Sequence, residues 1–398
     1  MSDFDARAGT RSAHTVPTLE DLEAALGSLD GKRILVRTDF NVPLERDDGV
    51  TRITDDFRIR AALPTIEWLT ERGASVVTAS HLGRPKGTAD PKYSMDPVRA
   101  RLDELVDGVT LLENLRFNAG ETKNDPAFVQ ELIAGQDLYV NDAFGASHRA
   151  HASIVGPPQF LPSAAGRLLQ REVEVLGGLR DDPGRPFVVI LGGSKVSDKL
   201  GVIKALSTIA DALIIGGGMC FTFLKAQGHP IGNSLCEDDQ VETCRELLAS
   251  GVTIHIPSDI TALGPGGKIM DPDAGGEVRQ MGTSLPDGWM GLDIGPGTAA
   301  DFTDVILDAR TVLWNGPMGV FEDPRFESGT RAVAQALADT RAFTIVGGGD
   351  SAAAIKQFGL AADVDHVSTG GGASLELLEL GDLPGLEALR GASNAPAS

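Results

Sequence analysis

Arginine, histidine and lysine side chains follow several apolar segments of this sequence, at positions where they could bind an anion. His81, Arg84 and Lys86 lie in SHLGRPKG, Arg116 lies in ENLRF, and Arg149 lies in NDAFGASHRAH. Guanidinium groups suit phosphate and carboxylate oxygens because they donate paired hydrogen bonds in a fixed plane. In a chain whose formal charge is −21, such a recurring set predicts a site for a small anionic substrate. Each residue alone could equally form a surface ion pair or fill a structural role.

A carboxylate and an amide lie two residues apart in the segment RTDFNVP, which follows the first apolar run. Asp39 and Asn41 could both hydrogen-bond a hydroxylated ligand. The competing interpretation is an ordinary Asx turn, which these residue types often stabilise. The neighbouring cations favour the ligand-binding interpretation.

Glycine-rich turns dominate the second half, and they point to a nucleotide. In LGGSKVSDK, Lys195 and Lys199 are four residues apart, and we expect them to share one face of an opening helical turn. GGGDS and STGGGAS also predict helix starts whose backbone N–H groups face an anion. A solvated helix start with a charged face is the alternative for either lysine. The chain lacks the GxxxxGK[ST] and GxGxxG patterns, so these turns must hold phosphate differently.

Two acidic residues near these turns each allow two interpretations. Asp350 in GGGDS could cap a helix or hold Mg²⁺, which prefers carboxylate, phosphate and water oxygens. Glu322 ends WNGPMGVFE, which could be a tight turn around a buried tryptophan or a segment that faces a ribose.

Strands that alternate with helices must position these residues. Seven apolar segments read as buried parallel strands, and most of them run into polar or glycine turns. They are RILVRT, ASVVTAS, FVVILGG, ALIIGGG, VTIHIP, TVLWNG and FTIVGGG. The pattern predicts an α/β protein of two doubly wound parallel-sheet domains joined by a hinge helix over residues 160–180. We expect domains at 1–181 and 182–381, with the tail 382–398 packing back near the first.

Composition excludes several classes of function. The 56 acidic and 35 basic residues oppose attraction to nucleic acid or anionic membranes. Three irregularly spaced cysteines suit free thiols in a reducing compartment. Without an apolar run of membrane-spanning length or a secretory signal, the chain is expected to be cytoplasmic.

Nine motifs, in order from about Thr18 to about Gly385, resemble those of the phosphoglycerate kinase family: RTDFNVP, SHLGRPKG, ENLRF, NDAFGASHRAHAS, LGGSKVSDK, IGGGMCFTFLKAQG, WNGPMGVFE, GGGDS and STGGGAS. The resemblance implies that 3-phosphoglycerate is bound by Asp39, Phe40, Asn41, Arg58, His81, Leu82, Gly83, Arg84, Arg116 and Arg149. It implies nucleotide contacts from Gly193, Lys195, Lys199, Gly217, Asn315, Glu322, Gly348, Gly349, Asp350 and Ser351. It assigns catalysis to Arg58, Lys195, Lys199, Gly348 and Gly371.

The implied reaction is reversible, Mg²⁺-dependent phosphoryl transfer between 1,3-bisphosphoglycerate with ADP and 3-phosphoglycerate with ATP, in glycolysis and gluconeogenesis. Asp350 would bind the Mg²⁺, hinge closure would join the two ligand sites, and the protein would be a monomer. Thr38, Ala146-Ser147 and LELGDLPG depart from the usual family residues, but no charged contact is lost at the first two. Other candidates are a non-catalytic two-domain anion-binding protein and a nicotinamide-dependent dehydrogenase, the latter disfavoured by the missing fingerprint.

Overall fold

The chain divides into two compact units in the computed structural model, which describes residues 15–47 and 50–392. The first unit runs to Asp181 and resumes at Leu380, and the second unit is Asp182–Glu379. The second unit is therefore inserted, in sequence, into the first. Among the described residues, no helix is long and apolar enough to cross a membrane.

The first unit is built on a parallel sheet. Its described strands pair in the order β5-β4-β1-β6-β7, and a separate antiparallel pair is formed by β2 and β3. The strands are β1 (Arg33–Arg37), β2 (Leu44–Asp47), β3 (Val50–Ile53), β4 (Ser75–Ala79), β5 (Thr110–Leu111), β6 (Leu138–Asn141) and β7 (Ser163–Ala165). The α-helices before residue 182 are α1 (Leu19–Leu26), α2 (Phe57–Thr70), α3 (Asp96–Asp103), α4 (Gly120–Lys123), α5 (Pro126–Ile133), α6 (Ala152–Val155) and α7 (Arg167–Asp181).

The strand order of this sheet shows where a ligand crevice is expected. The chain builds outward from β1 through β4 to β5 on one side, and through β6 to β7 on the other. In doubly wound sheets, ligands bind beyond the carboxyl ends of strands where the order reverses. The turns after β1, β4 and β6, which carry the predicted anion-binding residues, meet at that edge.

The predicted helix over residues 160–180 is wrong in its first third. Ser163–Ala165 forms strand β7 beside β6, and the helix begins only at Arg167. Proline at 162 disfavours helical geometry in the residue before it and has no N–H to donate. The small residues that follow are buried in the sheet, where the pairing with β6 overrides their weak preference for strands.

The second unit repeats the architecture with a larger sheet. Its described parallel strands pair in the order β10-β9-β8-β14-β15-β16, so the order reverses between β8 and β14, and β12-β11-β13 forms an antiparallel sheet. The strands are β8 (Phe187–Leu191), β9 (Ala212–Ile215), β10 (Thr253–His255), β11 (Asp259–Leu263), β12 (Val278–Gly282), β13 (Met290–Ile294), β14 (Thr311–Asn315), β15 (Phe343–Gly347) and β16 (His366–Val367). Its helices are α8 (Leu200–Leu206), α9 (Cys220–Ala226), α10 (Val241–Leu248), α11 (Pro296–Leu307), α12 (Ser328–Asp339), α13 (Gly349–Gln357) and α14 (Gly372–Leu380).

These observations confirm the predicted fold class of doubly wound α/β units. The central strands β8 and β14 are buried along their whole length, as expected of strands covered on both faces. The chain then returns to the first unit, where helix α15 (Pro384–Arg390) buries Leu386 and Leu389.

Candidate active site

An ion pair between Asp39 and Arg58 lies at the carboxyl edge of the first sheet. Asp39 follows β1 and is buried, while Arg58, in the first turn of α2, contacts its Oδ2 through Nη1 and keeps a side-chain exposure of 31%. Burial opposes ionisation of Asp39, but the positive charge of Arg58, with that of Arg37, holds its pKa below the usual value. Arg58 is thus oriented by a fixed carboxylate while part of its guanidinium side chain faces solvent.

His81 follows β4 and lies beside the same carboxylate. Its Nδ1 is 3.9 Å from Asp39 Oδ1 and 3.2 Å from Arg37 Nη2. Burial lowers the pKa of His81 well below 6.5, so the ring is neutral at physiological pH. Because a guanidinium can only donate, Nδ1 accepts from Arg37 and Nε2 carries the proton. His81 can therefore donate one hydrogen bond to a ligand oxygen.

Arg37 belongs to this site, although sequence analysis did not assign it a role. It is the last residue of β1, is buried, and donates from Nε to Ser153 Oγ at 2.8 Å. Ser153 in turn donates from Oγ to Glu121 Oε1 at 2.7 Å and from its backbone N–H to Oε2 at 3.0 Å. A buried chain of hydrogen bonds therefore runs from Glu121 to His81. An arginine ending the apolar run RILVR was the one sequence signal for it.

Arg116 is anchored beside the predicted turn residues. Its Nη1 donates to Gly83 O at 2.8 Å, and Gly83 N donates to Asn41 Oδ1 at 2.9 Å. Burial lowers the pKa of Arg116 to about 10, and the charges of Arg37 and Arg149 add to the effect. Its buried Nε has no hydrogen-bond partner among the described residues. An anionic ligand would satisfy this donor and relieve the repulsion between the cations.

The remaining predicted substrate residues fall into two groups. Arg84 and Arg149 are exposed, and Arg149 Nε lies 3.0 Å from His148 Nε2. Phe40 and Leu82 are buried, and their backbone N–H groups already donate to Ser80 and Asn114 side chains, respectively. The two buried side chains pack beneath the site, whereas the two arginines are open to solvent.

Lys199 is the central cation of the second unit. It ends the 3₁₀-helix Ser197–Lys199, and its Nζ donates to Asn315 O at 2.7 Å and to Asn315 Oδ1 at 2.6 Å. Burial lowers the pKa of Lys199 to about 8, partly opposed by the charges of Asp350 and Asp198. Asn315 is buried, and its Nδ2 has no partner among the described residues. The lysine is therefore held by neutral oxygens, with an unsatisfied donor beside it.

Lys195 does not share a helical turn with Lys199, so that prediction is wrong. Lys195 is exposed and precedes the 3₁₀-helix, whose start is held by Glu237: Ser197 N donates to Glu237 Oε2 at 3.0 Å. Residues 192–196 are not helical, and the α-helix begins only at Leu200, after the 3₁₀-helix.

Two glycines allow the turns of this unit to approach each other closely. Gly217 follows β9 with φ 65°, and a Cβ there would lie 2.5 Å from Gly193 N. Gly348 follows β15 with φ 89°, and a Cβ there would lie 3.0 Å from Asn315 Nδ2. Helices α13 and α14 start immediately after Gly348 and Gly371, which confirms the predicted helix starts. The two glycines thus let these turns approach more closely than a Cβ would allow.

Acidic and hydroxyl groups complete this edge. Asp350, in the first turn of α13 after Gly349, is exposed, and Glu322 is exposed in the turn after β14. Ser351 is buried and accepts a hydrogen bond from Gly316 N. The described residues contain no group of three or more His, Cys, Asp or Glu that could hold a metal. A single carboxylate nevertheless fits Mg²⁺ that is bound mainly by nucleotide phosphates and water.

Comparisons with known proteins agree on one family. The family model described as phosphoglycerate kinase matches residues 23–110 and 106–380. The phosphoglycerate kinase of Frankia casuarinae is 52% identical over 94% of this chain and 99% of the relative, and that of Salinispora arenicola is 53% identical over the same shares. The solved phosphoglycerate kinase of Coxiella burnetii matches with a TM-score of 0.84 and 36% identity, over 94% of this chain and 99% of that one.

Proposed function

The chain belongs to the phosphoglycerate kinase family, and on that premise we propose which of its residues perform the reaction. The activity is reversible phosphoryl transfer between 1,3-bisphosphoglycerate with ADP and 3-phosphoglycerate with ATP. The alternative of a non-catalytic binding protein is not supported by these matches.

One observation carries the assignment of the ligand sites. Each unit holds a buried donor without a partner among the described residues: Arg116 Nε in the first and Asn315 Nδ2 in the second. An unsatisfied buried donor costs roughly 1–3 kcal/mol, and more when it is charged. Anionic oxygens would remove that cost in both places. We therefore assign 3-phosphoglycerate to the first unit and the nucleotide to the second.

The first unit would hold and orient the glycerate. We assign its phosphate and carboxylate to Arg84, Arg116 and Arg149, and its hydroxyl to the side chains of Asp39 and Asn41. Arg58 keeps part of its side chain open while Asp39 fixes its direction. Arg58 would therefore reach the transferring phosphoryl group, where charge develops between the attacking carboxylate oxygen and the departing ADP oxygen.

The second unit would hold the nucleotide. Lys199, Lys195 and the N–H groups near Gly193, Gly348 and Gly371 are assigned to the phosphates, and Glu322 to the ribose. Asp350 would hold Mg²⁺, whose charge offsets that of the phosphate oxygens. With cations supplied by both sites, transfer would need no covalent enzyme intermediate.

Because the two ligands are assigned to different units, we expect the reaction to require closure about α7. Closure would also exclude water, which hydrolyses acyl phosphates. Small-angle scattering should show compaction only when both substrates are bound. A cytoplasmic location and a monomeric state stay predictions from the sequence.

The decisive experiment is a coupled assay of ATP consumption that depends on 3-phosphoglycerate and Mg²⁺. Arg58→Ala should lose at least about a hundredfold in kcat, because it removes charge stabilisation in the transition state. Arg60→Ala is the matched control, since Arg60 lies two residues along α2 and pairs with Asp56 at the surface. An inactive wild type would refute the activity, and equal losses in both variants would refute the role of Arg58.

A further inference from the structure

A short turn carries Glu322, the residue assigned above to the ribose. Asp323 N donates to Val320 O at 3.0 Å, and Phe326 N donates to Asp323 O at 2.8 Å. Glu322 is exposed within this turn and makes no hydrogen bond to the described residues. The direction of its side chain therefore depends on what fixes the turn.

Asp323 fixes the turn from inside. Its side chain is 2% exposed, and its carboxylate accepts from Arg325 Nε at 2.9 Å, from Arg325 Nη2 at 2.7 Å and from Met270 N at 2.8 Å. The paired hydrogen bonds from Arg325 hold the pKa of Asp323 far below its usual value. Asp323 is thus ionised at every physiological pH and is compensated by one guanidinium.

Arg325 joins the same turn to a distant loop. Its Nη2 also donates to Lys268 O at 2.7 Å, in the loop between β11 and β12. Together with the bond from Met270 N to Asp323, this contact attaches the loop to the turn at the backbone of Lys268 and Met270. A lysine at 325 could keep the charge but not the planar fork that makes these bonds together.

We propose that Asp323 and Arg325 are positioning residues that orient Glu322 toward the ribose and so set the preference for ribonucleotides. The inference rests on the proposed assignment of Glu322. The pair touches no substrate; it acts through the turn that carries Glu322. A carboxylate held in one direction can accept hydrogen bonds from ribose hydroxyls without further ordering. A carboxylate on a loosened turn loses conformational entropy when it forms the same bonds, which weakens binding.

The test compares ATP with 2′-deoxy-ATP and 3′-deoxy-ATP in wild type, Glu322→Ala, Arg325→Lys and the double variant. We expect Arg325→Lys to raise KM for ATP about fivefold and to reduce discrimination against the deoxynucleotides, with KM for 3-phosphoglycerate unchanged. In the Glu322→Ala background, Arg325→Lys should add less than about a twofold change, because the two act as one unit. Arg245→Lys is the matched control, since Arg245 forms a surface pair with Glu242.

Different outcomes distinguish a failure of the positioning role of Asp323 and Arg325 from a failure of the ribose assignment of Glu322. If Glu322→Ala loses discrimination and Arg325→Lys keeps it, the positioning role is overturned and the ribose assignment stands. If Glu322→Ala keeps full discrimination, both are overturned. Full additivity of the two substitutions would also overturn the inference. If Arg325→Lys unfolds, the charge-neutral pair Asp323→Asn with Arg325→Gln replaces it and must meet the same expectations.

Discussion

On the proposed assignment of Lys199 to the nucleotide phosphates, its depressed pKa should make nucleotide use depend on pH in a range where lysine normally stays charged. Its Nζ rests on two neutral oxygens of Asn315, and burial lowers its pKa to about 8. Only the charged ammonium attracts phosphate strongly. We therefore expect kcat/KM for ATP, measured at saturating 3-phosphoglycerate, to fall as the pH rises above 8.

The size of the fall follows from the pKa. With a pKa of about 8, the charged fraction of Lys199 drops from about nine-tenths at pH 7 to about one-tenth at pH 9. If the neutral form binds ATP negligibly, kcat/KM falls about tenfold over that interval. A lysine of ordinary pKa, near 10.4, would produce almost no change.

Two comparisons isolate Lys199 in this assay. The arginine in Lys199→Arg keeps its charge to above about pH 12. The kcat/KM of this variant for ATP should therefore stay constant from pH 7 to 9.5, whatever its absolute activity. In the wild type, kcat/KM for 3-phosphoglycerate at saturating ATP should decline only toward the pKa of Arg116, about 10. A flat wild-type profile for ATP, or the same decline in Lys199→Arg, would refute the reasoning.

Three further predictions concern other parts of the structure. Ser153→Ala breaks the link between Arg37 and Glu121 and should raise KM for 3-phosphoglycerate about tenfold with KM for ATP unchanged; an equal rise in both would count against it. Asp142 is buried with its pKa raised to about 7, so the unfolded chain loses this proton first as pH rises from about 4 to 7, and stability falls across that window. The free energy of unfolding of Asp142→Asn, measured by urea denaturation relative to wild type, should therefore increase by up to about 3 kcal/mol between pH 5 and 8. A difference in free energy that stays constant with pH would contradict this. Gly217→Ala should destabilise the fold by about 2 kcal/mol more than Gly228→Ala, because both have positive φ but only Gly217 lies against backbone atoms; equal melting temperatures would contradict it.

The architecture was predictable from sequence because its signals are local. Buried parallel strands read as apolar runs, and glycines at 217 and 348 mark turns where the backbone permits nothing larger. The positions of the cationic turns were predictable for the same reason, since their cations follow the strands directly. Nothing local identifies the partners of Arg37: Ser153 lies 116 residues away in sequence, and Glu121 lies 32 residues from Ser153.

Where sequence reasoning failed, tertiary contacts outweighed local preference. Ser163–Ala165 forms a strand because β6 offers it pairing, although its small residues have little tendency to do so. Lys195 and Lys199 have the spacing of helical neighbours, but Glu237 holds the segment between them in another conformation. Patterns of residue type could not show which distant carboxylate would bind that segment.

The division of the first unit between the two ends of the chain has a consequence for biosynthesis. Gly385 N donates to Ser147 O at 2.9 Å, within the loop that also carries Arg149, and α15 buries Leu386 and Leu389 in the same unit. These residues follow the whole of the second unit in sequence, so they are translated after it. The second unit can thus be complete before the first, and the proposed glycerate site gains the contact with α15 only after the second unit has been translated.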